Sequence, residues 1–230
     1  MLILALDSST GAVTVAVGRA EEGAGREVIA EVSVASRGAS EALLPAAHDA
    51  LGLAGTSLGE VERILVGIGP GTFTGIRIAL AGARSLSFAI GAPLSKNSTL
   101  AALAAPALLS AEEPDVIAML DANRRQVFAQ RFTEDGTRGG ILCVEPEQLP
   151  AEPTTGDAPL VVGDGAVRYR EVLSALGRVP SDASPLHRVT AAGHVLSADL
   201  SPVPAGDVVP LYVREPDAEV RRDLNPWSRA

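Results

Sequence analysis

A short pattern that occurs twice in the chain limits the folds open to it. An apolar run over residues 2–6 ends at Asp7, a polar turn follows, and an alternating segment returns from Val13. The same order recurs in the second half, where an apolar run ends at Asp121 and a second segment returns from Val127. This recurrence indicates an internal duplication of a β-hairpin. The sequence therefore predicts two related halves, each beginning with a hairpin whose first strand is buried.

Strands and helices alternate after the first hairpin. Helices are predicted over residues 40–52, 72–90 and 98–109, with a strand before the second and before the third. Alternating strands and helices are typical of a layered α/β fold. The 230 residues suffice for two lobes of about 100 residues each. We expect a first lobe over residues 1–109 and a smaller second lobe with a tail over residues 110–230.

Charge and cysteine content argue against several classes of protein. The formal net charge is −9, and without a basic run the chain is not expected to bind nucleic acid by itself. The single cysteine, Cys143, excludes an intrachain disulfide and a thiolate metal cluster. No apolar stretch approaches the roughly 20 residues of a membrane span, and no basic leader precedes Asp7. We therefore expect a cytoplasmic protein with no membrane contact.

Two polar turns are candidates for binding a phosphate. Glycines and unpaired N–H groups at a helix start can hold an anion, but the spacing matches neither the P-loop nor the dinucleotide fingerprint. The pattern leaves a phosphate site and a tight structural turn open, and it favours the structural turn. The candidate residues combine a carboxylate, hydroxyls and glycines: Asp7, Ser8, Ser9, Thr10, Gly69 and Gly71.

Hydrolytic and metal-binding patterns are missing from the sequence. The three histidines, His48, His187 and His194, do not pair at the helical spacing that would hold zinc. A Gly-x-Ser-x-Gly nucleophile elbow is absent. The residues therefore predict neither a catalytic group nor a metal ligand.

The helix predicted over residues 72–90, closed by Gly91, is apolar on more than one face. Small residues, among them Gly75, Ala79 and Ala83, recur along it and would let another helix approach closely. A helix that is apolar most of the way round needs cover on most sides. The cover can come from its own lobe or from a partner, and the sequence alone leaves both open.

Six segments of the chain together form a pattern typical of one known family. The segments are Ile-Leu-Ala-Leu-Asp-Ser-Ser-Thr at 3–10, Ser-Glu-Ala-Leu-Leu-Pro at 40–45, Gly-Ile-Gly-Pro-Gly-Thr-Phe-Thr-Gly-Ile-Arg-Ile at 67–78, Ser-Thr-Leu-Ala-Ala-Leu at 98–103, Leu-Asp-Ala-Asn-Arg at 120–124 and Pro-Leu-Tyr-Val-Arg at 210–214. With them the chain resembles the TsaB (YeaZ) family, the dimerisation subunits of the bacterial machinery that makes N6-threonylcarbamoyladenosine in tRNA. The resemblance implies the two-lobed fold shared by actin, Hsp70 and sugar kinases (the ASKHA fold), with duplicated cores of a β-hairpin and helices.

The resemblance implies a non-catalytic scaffold. Such a subunit binds and activates a longer paralogue, TsaD, which holds a metal and modifies adenosine 37 of tRNAs that read ANN codons. An ATPase, TsaE, joins them, and tRNA is reached only through the complex. The paralogue's metal-binding histidines correspond here to Thr99 and Leu103, which do not suit that role. The resemblance therefore implies no metal and no cofactor for this chain alone, with ATP or ADP at the interface of the complex.

The resemblance also implies which helices bind the partner. In the family, the first two helices pack against their counterparts in the paralogue, or against a second copy in a homodimer. The chain departs from the family at Ala39, where histidine is common, so a role that needs imidazole there is not carried over. The implied interface residues are Glu41, Leu44, Ala47 and Leu51 on the first helix and Ile76, Ala79, Leu80, Ala83 and Leu86 on the second.

Two enzyme interpretations stand as alternatives. The first is an ATP-hydrolysing or phosphotransferase enzyme of the same fold, in which the Asp7 turn would hold a phosphate and Asp121 would lie across the cleft. Such an enzyme needs an adenosine pocket in its second lobe, for which that half looks too short. The second, more remote, is a metallopeptidase of the M22 type, which the missing metal pair disfavours.

Overall fold

The computed structural model describes residues 1–21, 23, 25–35, 38–110, 115–133, 136–150, 158–173 and 176–214. The first sheet has the strand order β3-β2-β1-β4-β5 and the second the order β8-β7-β6-β9. The strands are β1 (Leu2–Asp7), β2 (Ala12–Glu21), β3 (Gly25–Ala35), β4 (Arg63–Gly67), β5 (Leu94–Asn97), β6 (Asp115–Asp121), β7 (Val127–Thr133), β8 (Gly136–Val144) and β9 (Leu160–Val162). The helices are α1 (Ala39–Leu53), α2 (Phe73–Ile90), α3 (Thr99–Leu108), α4 (Asp164–Arg168), α5 (Arg170–Leu173) and α6 (Ala191–Ser197).

The two sheets repeat one topology, as the duplicated pattern predicts. In each, three antiparallel strands are followed by a strand that runs parallel to the first. The register corrects one detail of the predicted repeat. Asp7 pairs with Thr14, whereas Asp121 pairs with Val127, so the second hairpin turn is one residue shorter. Thr14, and not Val13, is therefore the counterpart of Val127.

The first sheet is covered on both faces, which explains the continuous apolar run of β1. Leu4 and Leu6 face the core under α1 and α2, whereas Ile3 and Ala5 face the core under α6. Side chains of a strand alternate between faces, so a strand buried on both sides reads as apolar throughout. The prediction that the first strand is buried on both faces is confirmed.

Two helices cross the predicted boundary between the lobes. The side chains of Leu100 and Leu103 on α3 lie in the core of the second sheet. In the other direction, Ala191 and Val195 on α6 lie against the first sheet. Across the predicted boundary at residue 109, α3 therefore supports the second sheet and α6 supports the first. The reason is that each sheet needs an apolar helix on its inner face, and the chain supplies it from the other half. Of the tail predicted from Pro202 onward, residues 215–230 lie outside the described residues.

Candidate functional site

The turn that follows β1 closes around the carboxylate of Asp7. The Asp7 side chain is 0% exposed. Its Oδ1 atom accepts hydrogen bonds from the backbone N–H and the hydroxyl of Ser9, both at 2.7 Å. Its Oδ2 atom accepts from Nε2 of His194 at 2.8 Å and from the hydroxyl of Thr99 at 3.3 Å. The carboxylate therefore makes four hydrogen bonds inside the protein.

Glycines around this turn make room for protein groups. A Cβ at Gly67 would overlap the Asp7 carboxylate, and one at Gly71 would overlap the carbonyl of Ser9. The hydroxyl of Ser8 donates to the carbonyl of Gly75 at 2.8 Å. A side chain at these glycines would push the turn away from the start of α2. The glycine pattern therefore reflects close packing of the backbone.

These contacts favour one of the two interpretations of the turn. The carboxylate and both serine hydroxyls face protein groups, and the Gly69 carbonyl accepts from Thr99 N at 2.8 Å. The interpretation as a structural turn fits this arrangement, and the phosphate site stays a prediction. The residues concerned are Asp7, Ser8, Ser9, Thr10, Gly69 and Gly71, of which Thr10 and Gly71 are partly exposed.

Helix α6 fills the space in front of the turn and is fixed at both ends. At its start, Ala191 N donates to the hydroxyl of Thr14 at 2.9 Å, and Ala192 N donates to the carboxylate of Glu31 at 3.0 Å. Near its end, Arg26 donates to the carbonyl of Val195 at 3.0 Å. A carboxylate at a helix start and a cation at its end both complement the helix dipole. These contacts hold the helix against the first sheet.

The Asp7–His194 pair lies at the centre of this packing. Burial by itself would raise the pKa of Asp7, but the hydrogen bond and charge of His194, with the bonds from Ser9, hold the pKa below its usual 3.8. The other ring nitrogen of His194, Nδ1, is buried, with no hydrogen-bond partner among the described residues. Sequence reasoning missed this pair, because the two residues lie 187 positions apart.

The corresponding turn of the second lobe is also closed by its own contacts. Asp121 accepts from Arg168 at 2.7 Å, and its backbone N–H donates to Asp164 at 2.9 Å. Burial raises the pKa of Asp164. Within the described residues, no group of three or more histidine, cysteine or acidic residues could hold a metal ion.

Most of the predicted interface residues lie in the core of the first lobe. Gly82 lets α1 pack closely on α2, since a Cβ there would overlap the side chain of Leu43. The small residues Gly75, Ala79 and Ala83 face inward. Leu86 is partly buried against the same core, and only Glu41 and Leu44 are exposed. The buried members of the predicted set are Ala47, Leu51, Ile76, Ala79, Leu80 and Ala83.

The opposite side of the same two helices carries exposed apolar side chains. We call the exposed side of these helices the outer face of α1 and α2; it carries Leu44 on α1 and Phe73 and Phe88 on α2. Phe88 is 92% exposed and Leu44 is 54% exposed. Helix α2 is 18 residues long, and by length and composition alone it could cross a membrane. The inner side of this helix packs on the first sheet, where Ile76, Ala79, Leu80 and Ala83 are buried.

The repeated hairpin sheets, with helices between and around them, define an α/β protein of the actin-like class. Component A of (R)-2-hydroxyglutaryl-CoA dehydratase from Acidaminococcus fermentans matches this fold with a TM-score of 0.50 at 16% identity. YeaZ from Pseudomonas aeruginosa matches with a TM-score of 0.72 at 28% identity, over 92% of this chain and 99% of that one. The predicted fold class is confirmed.

Sequence comparisons define the family. A family model described as "TsaD: tRNA N6-adenosine threonylcarbamoyltransferase" matches residues 30–145. An uncharacterized protein of Mycobacterium tuberculosis is 31% identical over 94% of this chain and 93% of its own. The tRNA threonylcarbamoyladenosine biosynthesis protein TsaB of Escherichia coli is 33% identical over 59% of this chain and 56% of its own. The chain belongs to the family that this model describes. The predicted resemblance to TsaB (YeaZ) proteins is confirmed.

Proposed function

We propose that this chain is the TsaB-type, non-catalytic subunit of the machinery that makes threonylcarbamoyladenosine in tRNA. Its relatives in Escherichia coli and Haemophilus influenzae are named tRNA threonylcarbamoyladenosine biosynthesis protein TsaB. On this proposal the chain works in the cytoplasm, binds a TsaD-type transferase subunit and stabilises its active arrangement. It contacts tRNA only through that complex.

The exposed outer face of α1 and α2 carries the proposal. A large aromatic side chain such as Phe88, 92% exposed on a helix, leaves apolar area in water that a partner would cover. Leu44, 54% exposed, is a further exposed apolar side chain on α1, the helix that packs against α2. Aromatic side chains at the centre of an interface supply a large share of the binding energy. Exposed apolar area of this kind does not stabilise a free monomer. A role in binding a partner therefore accounts for it.

The closed turn supports the non-catalytic part of the proposal. In an enzyme of this fold the first turn would hold a phosphate, but here Asp7 is sealed by His194 and Ser9. The two positions that correspond to the metal pair of the paralogue are buried. Thr99 donates to Asp7, and Leu103 packs in the second core. Both side chains have structural roles, and neither is suited to bind a metal.

The remaining partners follow from the same resemblance. A TsaE-type ATPase joins the complex, and ATP or ADP binds at the interface of the complex, whereas this chain alone binds no cofactor. Without the transferase subunit, the same apolar face pairs with a second copy of the chain. Leu44 and Phe88 are thereby covered both in the complex with the transferase subunit and in the homodimer.

Replacing Phe88 with alanine is expected to weaken the complex with the TsaD-type subunit of the same organism about 10-fold or more, because a buried aromatic anchor is lost. The wild-type chain should co-elute with that subunit on size exclusion, and titration calorimetry would measure the affinities. Leu109→Ala is the control, since Leu109 is also exposed but follows α3. Wild-type chain that does not bind would contradict the proposal, as would ATP turnover above background by the chain alone.

A further inference from the structure

Five exposed residues form one stripe along α2, on its outer side. Their spacing of three or four residues places them on one face of a helix, and the stripe is about 22 Å long at the usual rise of 1.5 Å per residue. Aromatic residues stand at both ends, and two arginines lie between them. The residues of this arginine stripe are Phe73, Arg77, Ala81, Arg84 and Phe88.

The guanidinium of Arg77 is held in place by two aromatic rings. It lies 3.6 Å from the centre of the Phe73 ring, and its Nε atom donates to the hydroxyl of Tyr212 at 2.9 Å. The two rings stack, with centroids 5.3 Å apart. The Tyr212 segment is fixed to the first lobe, because Leu211 N donates to the carbonyl of Ile68 at 2.8 Å. A planar guanidinium held by two contacts loses little entropy when it binds a carboxylate.

A shallow pocket continues from this cluster along the stripe. Its floor is apolar, formed by Leu80, Ala81 and Pro210, and Arg77 and Arg84 border it. Arg84 is fixed as well, since it donates to the carbonyl of Val208 at 2.9 Å. The pocket thus offers two positioned cations around an apolar floor. A group that fits it combines a carboxylate with aliphatic carbon, as glutamate and aspartate side chains do.

Charge argues for an acidic protein segment as the occupant. The chain carries a formal net charge of −9, so its surface elsewhere repels an acidic partner, while the stripe attracts one. A second copy docked stripe to stripe would place arginines against arginines, so self-pairing through this face is weaker than pairing with an acidic partner. Two arginines are too few to grip a nucleic-acid backbone, whose binding relies on many phosphate contacts.

We propose that the arginine stripe binds a helix of the partner protein that carries acidic side chains between apolar ones, with a carboxylate on the guanidinium of Arg77. This inference rests on the proposed function and names the chemistry of its partner surface. The apolar residues of the partner helix cover Phe73 and Phe88, and its acidic residues meet Arg77 and Arg84. The stripe therefore selects the partner by charge as well as by apolar contact.

Reversing the charge of Arg77 tests the inference, with the full chain and the TsaD-type subunit of the same organism. Arg77→Glu is expected to weaken the complex about 30-fold or more, since a positioned cation becomes a repelling anion. Arg77→Lys is expected to weaken it about 5-fold, because lysine keeps the charge but loses the planar stacking. Arg188→Glu, at an exposed arginine of the second half, should stay within about twofold of wild type. Affinity should also fall as ionic strength rises.

Three outcomes would overturn the inference, and they separate it from the proposed function. If wild type binds and Arg77→Glu binds equally well, the stripe is not the contact, whereas the proposed function stands. If Arg77→Glu weakens only self-association, the occupant is a second copy. If wild type does not bind at all, the proposed function fails, and this inference fails with it.

Discussion

His194→Ala is expected to destabilise the protein by about 3–5 kcal/mol, because it leaves a buried carboxylate without one of its partners. The substitution leaves the Asp7 carboxylate 0% exposed, with only Ser9 and Thr99 to bond it. It also removes the side chain that fixes the centre of α6 to the first sheet. The melting temperature should fall on the order of 10 °C, measured by thermal unfolding followed by circular dichroism.

Acid titration gives an independent check on the same pair. The folded-state pKa of Asp7 is lowered, so its contribution to stability is present above the ordinary value of 3.8 and is lost as pH falls through the folded pKa. Asp7→Asn should lack this loss below about pH 4. His48→Ala, at an exposed histidine of α1, is the control and should change stability by less than about 0.5 kcal/mol. Equal stabilities for His194→Ala and His48→Ala would contradict the assignment.

Two alanines of α2, two residues apart, should respond oppositely to one substitution. Ala83 lies on the inner side of α2 and is fully buried in the first core. Ala83→Glu places a carboxylate among apolar side chains there, and we expect it to prevent stable folding. Ala81 is exposed within the arginine stripe, so Ala81→Glu should keep the native circular dichroism spectrum. It should nevertheless weaken partner binding about 10-fold or more, because it places an acid where the stripe attracts one.

This pair of variants distinguishes the inner face of α2 from its outer face. Soluble expression and thermal unfolding report on the fold, and calorimetric titration with the partner reports on the interface. A folded Ala83→Glu variant that fails only to bind would show that the inward orientation of Ala83 is wrong. An Ala81→Glu variant with unchanged affinity would remove the outer face from the interface.

Local sequence patterns determined much of the fold. The apolar run before Asp7 and its repeat before Asp121 predicted two hairpin cores, and both sheets repeat one topology. The glycine that ends α2, Gly91, adopts φ 73°, a conformation that glycine accepts without strain. Such features were predictable because they depend on neighbouring residues along the chain.

Features that depend on distant parts of the chain escaped prediction. The apolar periodicity of α2 is compatible with either face pointing inward, and the contact between Gly82 and Leu43 decides it. The Asp7–His194 pair joins opposite ends of the chain, and no local motif marks it. The helical spacing of Phe73, Arg77 and Phe88 can be read from the sequence. That these side chains are exposed depends on which side of α2 the first lobe covers, and only the structure gives that side.

Reconstitution of tRNA modification tests the central claim most directly. Purified TsaD-type and TsaE-type subunits, with unmodified tRNA and a source of the threonylcarbamoyl group, would be assayed for threonylcarbamoyladenosine with and without this chain. We expect modification to require the chain, to be restored by Asp7→Asn at a temperature where that variant is folded, and to be impaired by Arg77→Glu. Full modification without the chain, or modification lost with Asp7→Asn while the complex still forms, would contradict a non-catalytic subunit that acts through its outer face.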